Sequence, residues 1–366
     1  MPSPALAQRT LLDDDAHVAL RLPLGETFGT LHPGGSFPLV EDPRRTTTAV
    51  LVGMMVLRPA SRAWLPEQAP ADLASSISSV RDWCFDVEGI GGSWPVSGGN
   101  RVDALRLALQ YGVMDAVMAG AATVRREGLA MPGRRAHLWQ PYTPLAWPAL
   151  REWRERLAPA IAELRRQWQQ LGVLSARRWP AQVAVSPSGD SPEALLGAAI
   201  FRERHPDGSA IESYVLTSEA GAARLREAAR KTGRRLEDAL LVASPDGDPA
   251  SLDVARVPAL LRERLGACLV EHDGGALSLG AFVEAGACRQ LNLTLMRRRT
   301  VRDVLAASDR LDDDARREVL GDWPRRARLF PPGGGALPRG YTPFYAVAEA
   351  AEGGEAVAVS FDVRAR

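Results

Sequence analysis

The sequence predicts an α/β fold built on a mostly parallel sheet. Short apolar segments of strand length alternate with amphipathic segments of helix length through the second half of the chain. Two strand segments, residues 116–119 and 267–271, are each followed by a loop of glycine or other small residues and then by a helix. Parallel strands need long crossover connections, and the helices in them cover both faces of the sheet. We therefore predict a central sheet with helices on its two faces.

The N-terminal part of the chain is irregular at first and then strand-like. Residues 1–66 are assigned to an N-terminal extension, and its first 47 residues are rich in Pro, Gly and Asp. The β-branched and apolar stretch 46–57 predicts a strand, so the extension can add to the sheet. The main domain is assigned to residues 67–366. Its first helix is predicted over residues 100–113, because apolar residues recur on one face.

Residues 135–178 differ in character and are interpreted as a helical insertion in the main domain. Apolar residues spaced three or four apart predict one long amphipathic helix, bent or begun at Pro159. Its stripe consists of Leu150, Trp153, Leu157, Ile161, Leu164, Trp168 and Leu171. The stripe can pack on its own domain, cover an active site or lie in a dimer contact. We expect it to pack mainly on its own chain and partly at a homodimer contact.

The remaining elements alternate in type. Strands are predicted over residues 182–186, 213–217, 240–244 and 289–296, and helices over residues 192–204, 219–233, 257–266 and 277–286. Near the end, residues 345–351 and 355–363 flank Gly353 and Gly354, a pattern that predicts a C-terminal β-hairpin.

The loop after the strand 116–119 is the first candidate binding site. It consists of Gly120-Ala-Ala-Thr123 and is followed by a charged run, Arg125 to Glu127, at a predicted helix start. Small residues let a ligand approach the backbone, and a helix N-terminus offers unpaired N–H groups that suit an anion such as phosphate.

The loop after the strand 267–271 is the second candidate. Glu271 ends the strand, and Gly274 and Gly275 precede the next predicted helix. Ligands of open α/β sheets bind at the carboxyl ends of the strands. An acid at the end of a buried strand needs a partner, which favours a binding role for Glu271 over a solvated or capping one.

The two loops resemble the reductase domain of the bifunctional riboflavin-biosynthesis deaminase/reductase, within the dihydrofolate-reductase-like superfamily. The family pattern Gly-x-Gly-Thr-Val-Arg-x-Glu/Asp is matched by residues 120–127, and its later Val-Glu-Gly-Gly pattern by residues 270–275. The segment from Ser75 to Ser79 is similar to the family's opening strand. The resemblance implies a three-layer α/β/α dihydrofolate-reductase-like fold, with a mixed, mostly parallel central sheet and a C-terminal β-hairpin.

The resemblance also implies site residues and a cofactor. It implies that NADPH binds at the two loops and at a serine after the next strand; the residues in question are Gly120, Thr123, Ser186, Gly274 and Gly275. It implies contacts with a heterocyclic substrate for Trp94, Glu127, Arg134 and Glu271. No catalytic residue is assigned, because the cofactor supplies the hydride. The family commonly dimerises, which implies a homodimer.

Composition excludes several classes of partner. The net charge of +1 gives no electrostatic case for nucleic acid or a membrane surface. Cys84, Cys268 and Cys288 are widely spaced, which argues against a disulfide framework or a zinc site. The longest apolar run, residues 49–57, is far short of the about 20 residues that span a bilayer. With no secretory signal pattern, we expect a cytoplasmic protein without a metal.

Three functional hypotheses follow from the sequence. The first is an NADPH-dependent reductase of a pyrimidine- or pterin-like heterocycle, such as a 5-amino-6-(phosphoribosylamino)uracil-like compound. The second is a catalytically degenerate relative that binds a nucleotide or metabolite. The third is a reductase of specialised metabolism with another heterocycle. The family's phosphate-binding helix arginine is replaced around Gln110 and Tyr111, which favours the third hypothesis over strict riboflavin synthesis. The family's deaminase motifs are absent from the sequence.

Overall fold

The computed structural model of the chain describes residues 8–13, 16, 18–29, 35–57, 106, 109–122, 124–125, 154–205, 207–233, 235–273, 276–296, 341–350 and 356–365. Its strands are β1 (Gln8–Asp13), β2 (Leu20–Pro23), β3 (Ser36–Leu39), β4 (Val50–Leu57), β5 (Ala116–Gly120), β6 (Ala181–Val185), β7 (Ser213–Thr217), β8 (Leu240–Val242), β9 (Leu269–His272), β10 (Gln290–Met296), β11 (Tyr341–Ala350) and β12 (Ala356–Ala365). Its α-helices are α1 (Gly25–Phe28), α2 (Arg154–Gln170), α3 (Pro192–Leu196), α4 (Glu219–Lys231), α5 (Val257–Leu265) and α6 (Ala276–Glu284). A further helical segment at residues 109–113, which we call the Gln110 helix, ends shortly before β5.

The described strands form one large mixed sheet and one small sheet. The large sheet has ten strands in the order β1-β11-β12-β10-β4-β9-β5-β6-β7-β8. Neighbours from β10 through β8 are parallel, while β12, β11 and β1 extend the sheet in antiparallel pairings. Strands β2 and β3 form the small antiparallel sheet. The predicted mixed, mostly parallel sheet and the C-terminal hairpin, β11–β12, are confirmed.

The large sheet separates two hydrophobic cores. Along β5, Val117 and Ala119 belong to one core, whereas Ala116 and Met118 belong to the other. This alternation is expected when both faces of a strand are covered. The first core, on what we call the α2 face, includes side chains of α2, α4 and the β2–β3 sheet. The second, on the α6 face, includes side chains of α5 and α6. The fold is therefore the predicted three-layer α/β/α arrangement.

The direction of each crossover explains which face its helix covers. The chain proceeds outward from β5 to β8 in order, and α3 and α4 of these crossovers pack on the α2 face. It then returns to β9 and continues to β10, and α5 and α6 of these crossovers pack on the α6 face. Right-handed crossovers that run in opposite directions along a sheet place their helices on opposite faces. The right-handedness of the crossovers, together with the strand order, thus accounts for the two layers of helices.

The N-terminal extension supplies a strand in the middle of the sheet. Strand β4, within the predicted stretch 46–57, lies between β10 and β9 rather than at an edge. Its Gly53 packs so tightly that a Cβ atom there would lie 2.6 Å from Leu291 Cδ2 and 2.8 Å from Leu279 Cδ1. The described part of residues 1–66 thus contributes β1 and β4 to the large sheet. The segment from Ser75 to Ser79, interpreted as an opening strand, lies outside the described residues.

Helix α2, in the predicted insertion, packs against its own chain. Trp168 is fully buried, its Nε1 donates to the Pro23 carbonyl at 2.9 Å, and its ring centroid lies 6.0 Å from that of Phe37. This position corrects the expectation that Trp168 contributes to a homodimer contact, because no part of its side chain is left exposed. Ile161 and Leu164 are also buried, whereas Leu171 is 44% exposed. The other stripe positions, Leu150, Trp153 and the side chain of Leu157, lie outside the described part.

Arg165 joins α2 to the Gln110 helix. Its Nη1 donates to the carbonyls of Gly112 at 3.1 Å and Met114 at 2.7 Å, and its Nη2 donates to the carbonyl of Arg177 at 2.6 Å. A guanidinium suits the carbonyls at a helix C-terminus, which lack helical partners. Ile161 lies directly against Gly112, where a Cβ atom would overlap its side chain. Helix α2 therefore holds the Gln110 helix in place.

One predicted helix is shorter than expected. Residues 192–204 were predicted as a single helix, but α3 ends at Leu196 and a separate 3-10 helix spans Ala199–Phe201. The N–H of Gly197 closes α3 by donating to the Glu193 carbonyl at 2.9 Å. A Cβ atom at Gly197 would lie 3.1 Å from the Glu193 carbonyl oxygen, so a side chain there would crowd the last turn of α3. The interpretation of this stretch as one amphipathic helix was wrong.

Candidate functional site

The carboxyl end of β9 is recessed between its two neighbours. In the register of the sheet, His272, the last residue of β9, is opposite Gly53 of β4 and Met118 of β5. Strand β4 continues to Leu57 and β5 continues to Gly120. We call the resulting indentation the β9 notch. In open α/β sheets ligands bind outside the carboxyl ends of strands where the strand order reverses, and β9 is such a point because the chain inserts it between β4 and β5.

The carboxyl ends of β5 and β6 lie beside α6 at the β9 notch. Gly120 is in register with Val185 of β6, so Ser186 begins the adjacent loop. A Cβ atom at Gly120 would lie 3.7 Å from Ser278 Cβ of α6, which is ordinary contact, and Gly120 does not have a positive φ. The described surroundings therefore do not require glycine at this position. The absence of a side chain leaves backbone accessible to a ligand.

The loop after β6 is tied to its surroundings from both sides. Arg125 Nη1, just after β5, donates to the carbonyl of Asp190 at 2.9 Å. Gly189 has a φ of +65°, and a Cβ atom there would lie 2.5 Å from the carbonyl oxygen of Gly221 in α4. Buried Ser186 is thereby fixed close to the ends of β5 and β6. The edge that includes Gly120 and Ser186 is a rigid one.

Glu271 lies on the α2 face and is completely buried. Its register partners, Val117 and Val52, both belong to the core of that face. Its carboxyl group accepts from Gln110, whose amide is oriented so that Nε2 lies 3.2 Å from Glu271 Oε1 and also contacts Oε2. Burial raises the pKa of Glu271 well above its ordinary value. The described site thus contains an acid that favours its neutral form.

A series of buried amides continues from Glu271. The Gln110 oxygen accepts from Asn292 Nδ2, and Asn292 Oδ1 lies 3.5 Å from Gln290 Nε2. Gln290 Nε2 also donates to the Pro38 carbonyl at 2.9 Å, and its Oε1 accepts from the Val40 N–H at 3.1 Å. The polar groups are paired because unpaired ones would be costly at this depth. This series, which we call the amide relay, connects β3 to the floor of the β9 notch.

His272 occupies the opposite face of the same strand end. It is completely buried, its ring lies edge-on to Phe282 with centroids 4.6 Å apart, and its Nε2 lies 3.3 Å from Ser278 Oγ. Burial lowers the pKa of His272 to about 3, so the ring is neutral. His272 therefore fastens the first turns of α6 to the end of β9.

Three of the predicted site residues are described, and they lie around the β9 notch. Gly120 and Ser186 lie at the carboxyl ends of neighbouring strands, and Glu271 lies on the floor. Six others lie outside the described residues: Trp94, Thr123, Glu127, Arg134, Gly274 and Gly275. The sequence interpretation missed the roles of Gln110, Asn292 and Gln290. It also missed Arg106, which is buried one turn before Gln110.

Replacement of Glu271 by glutamine is expected to make stability less dependent on pH. Because the folded pKa is raised, the folded chain holds a proton that the unfolded chain releases above its ordinary pKa of 4.5. The contribution of Glu271 to wild-type stability is therefore greatest below that pH and falls as pH rises from there to the folded pKa, by up to about 1.4 kcal/mol per pH unit. In Glu271→Gln this fall in stability is absent. The free energies of unfolding of the two proteins, measured with urea at about pH 4 and about pH 7, give the difference. The control is Glu284→Gln at an exposed position, and equal pH dependence in the two variants would contradict the assignment.

Known proteins provide distant comparisons. No family model matches the chain, and no curated protein does. The solved structures to which it is similar include a pyrimidine reductase-like protein from Corynebacterium diphtheriae, at 14% identity over 87% of this chain and 92% of that chain, with a TM-score of 0.42. They also include Acinetobacter baumannii RibD, at 13% identity over 88% of this chain and 59% of that one, with a TM-score of 0.38. A third is the Riboflavin Biosynthesis Reductase Rib7 of Saccharomyces cerevisiae, at 9% identity over 88% and 92% of the two chains, with a TM-score of 0.35.

The chain spans 59% of the RibD chain. Within the residues that the structure describes, no helix combines the length and the apolar character needed to cross a bilayer. In the same residues, no group of three or more His, Cys, Asp or Glu side chains is arranged to bind a metal.

Proposed function

We propose that the chain is an NADPH-dependent reductase of a pyrimidine- or pterin-like heterocycle, in riboflavin-type or related specialised metabolism. The observation that carries this proposal is the β9 notch, in which Gly120, Ser186 and the first turns of α6 border a recess whose floor holds Glu271. A recess at the carboxyl edge, with ligand-accessible backbone on one side and a buried polar group below, suits a nucleotide beside a small polar ring.

The cofactor side of the proposal rests on the rim of the notch. Gly120 and Ser186 would hold the dinucleotide, and the N-terminus of α6 would attract its phosphates through unpaired N–H groups. Arg125 lies at the same rim and has guanidinium donors beyond the one used for Asp190, which suits the extra phosphate of NADPH. When bound, NADPH would supply the hydride, and the protein would supply position and exclude water.

The substrate side rests on Glu271 and its neighbours. A carboxyl group shielded from water discriminates strongly in favour of a ligand that can hydrogen-bond to it. A ligand without a matching polar edge would leave the carboxyl group unpaired, at a cost in binding free energy. Its neutral form can donate one hydrogen bond and accept others, as the amide-like edges of pyrimidines and pterins require. The hydride acceptor would then lie between this floor and the cofactor rim.

The alternative is a catalytically degenerate member of the same fold that binds a nucleotide or metabolite. Complete burial of Glu271 beneath Gln110 favours it, because the described side chain is closed off rather than open to a substrate. The two functions differ in turnover. A binder retains affinity for the nucleotide without consuming it.

Association into a homodimer also belongs to this proposal. Among the described residues one large apolar side chain is exposed, that of Leu171, which directly follows the end of α2 at Gln170. A dimer contact built on α2 would therefore centre on its C-terminal end rather than on Trp168. Sedimentation of the full chain tests this proposal directly.

We expect calorimetric titration to show binding of NADPH in preference to NADH. The physical reason is bidentate pairing of a 2′-phosphate with an arginine at the rim, and Arg125→Gln should reduce the preference. Arg226→Gln, which alters an exposed ion pair on α4, is the matched control. Absence of heat with either nucleotide, in a chain that is folded by circular dichroism, would refute the reductase. Binding without oxidation of NADPH in the presence of heterocycles would favour the degenerate binder.

A further inference from the structure

The amide of Gln110 makes an unusual pair of contacts at the floor of the notch. Its Nε2 donates to the carboxyl group of Glu271, and its oxygen accepts from Asn292 Nδ2. The three side chains are between 0% and 4% exposed. One acceptor and one donor therefore face a single planar amide and satisfy both of its ends.

The same pair of contacts is what the edge of a lactam ring requires. A uracil-type ring presents an N–H donor beside a carbonyl acceptor, in the same plane and at similar spacing to the two ends of a primary amide. Glu271 supplies the acceptor and Asn292 the donor for either group. The Gln110 amide and a lactam edge are thus interchangeable in hydrogen-bonding terms.

The orientation of Asn292 is set by the amide relay rather than by Gln110. Gln290 Nε2 lies 3.5 Å from Asn292 Oδ1, which leaves Nδ2 directed to the floor of the notch. Gln290 is itself fixed by Pro38 and Val40 at the end of β3. The backbone of Glu271 is held by the pairing of β9 with β4 on one side and β5 on the other. The donor and the acceptor stay in position if Gln110 rotates away.

Gln110 differs from these two residues in its freedom to move. Its backbone is held through the Gln110 helix, which Arg165 and Ile161 fasten at Gly112. Its side chain has three rotatable bonds, as that of Glu271 also has, and in the described residues its polar contacts are those with Glu271 and Asn292, so no third polar group fixes its amide. Rotation of this one side chain would free the pair without unfolding any element.

We propose that Gln110 occupies the place of a ligand's lactam edge in the free chain, and that Asn292 and Glu271 form the pair that selects this edge. The inference rests on the proposed function for its class of ligand, a heterocycle with adjacent N–H and C=O groups. The substrate displaces the Gln110 side chain and takes over its two hydrogen bonds. The Gln110 side chain therefore competes with the substrate for the site, and Asn292 determines which ring edge the site prefers.

The test is calorimetric binding of 5,6-diaminouracil and of 2,4-diaminopyrimidine to the full chain. Gln110→Met removes the competing amide at similar length, so we expect affinity for the uracil to rise about tenfold. Gln110→Ala is the second variant, should the first fail to fold by circular dichroism. Asn292→Asp converts the donor into an acceptor and is expected to reverse the preference in favour of 2,4-diaminopyrimidine.

Gln182→Leu is the matched control. Gln182 is a fully buried amide in register with Val117 on the same face, and its Nε2 donates to the Pro180 carbonyl at 3.3 Å. The Gln182→Leu substitution should leave the affinity for the uracil unchanged, whatever its effect on the stability of the chain. Unchanged or weaker uracil binding in both Gln110 variants, or no binding by any variant, overturns the inference. If NADPH binds but neither Gln110 variant gains affinity for the uracil, the proposed reductase function stands and this inference fails. If the affinity for the uracil rises but NADPH does not bind, only the proposed reductase function is refuted.

Discussion

Trp168→Glu is expected to unfold the chain rather than to separate a dimer. The indole is completely buried on the α2 face and its Nε1 donates to the Pro23 carbonyl. The substitution removes the largest fully buried side chain of the described residues and places a carboxylate among aliphatic groups and Phe37. Loss of packing and burial of an unpaired charge together should cost more than about 4 kcal/mol. Thermal unfolding followed by circular dichroism measures the effect.

The control for this variant is a substitution at Leu171, just after the end of α2. Leu171→Glu introduces the same charge three residues later, where the side chain is 44% exposed, and should change stability by less than about 0.5 kcal/mol. A folded and monomeric Trp168→Glu protein would contradict the core assignment and restore the dimer interpretation. Sedimentation of both variants separates the two outcomes.

Asp115→Ala is expected to destabilise the end of the sheet opposite the β9 notch. The Asp115 carboxylate is completely buried and accepts from the Ser175 N–H at 2.8 Å, the Ser175 hydroxyl at 2.7 Å and the Cys268 N–H at 2.7 Å. It thereby joins the segments that precede β5, β6 and β9. An unsatisfied buried donor costs about 1–3 kcal/mol, so the loss should exceed about 3 kcal/mol. Urea unfolding should show a lower midpoint with an unchanged slope.

Asp190→Ala provides the comparison on an exposed aspartate. Asp190 forms an exposed ion pair with Arg224 at 2.9 Å, and such pairs contribute between about 0 and 1 kcal/mol. If Asp115→Ala unfolds at the same urea concentration as Asp190→Ala, the shared acceptor is not what holds the three segments. Asp115→Asn, which keeps one acceptor oxygen, should fall between the two.

Local patterns in the sequence were enough to predict the kind of most strands and α-helices from β4 onward, but they missed β1, β2, α1 and β3, which lie in the stretch interpreted as irregular. Strand β7 spans the predicted residues 213–217, and β9 and α6 differ from prediction by one to two residues at their ends. The position of β9 between β4 and β5 has no local signal, because pairing across the sheet depends on segments far apart in sequence. The central place of β4 was missed for the same reason, as its apolar composition suits an edge or an interior strand.

The candidate site was predictable only in part. Glu271 and Gly120 could be found because an acid and a glycine at the ends of buried strands are conspicuous. Gln110 and Asn292 could not, since a single amide in an amphipathic helix or a strand is typical of a solvent-facing position. Their burial follows from tertiary packing, in which the Gln110 helix crosses the face of β9. The same packing raises the pKa of Glu271, which no neighbouring residue in the sequence indicates.

The insertion of β9 between β4 and β5 has a consequence for how the chain folds during synthesis. Strands β4 and β5 emerge early, but the strand that joins them begins only at Leu269. Until then each exposes an unpaired strand edge to other chains, which is a risk for aggregation. Pairings between segments so distant in sequence also form slowly. Folding of the sheet centre is therefore a late event, and a nascent chain that stops before β9 cannot complete it.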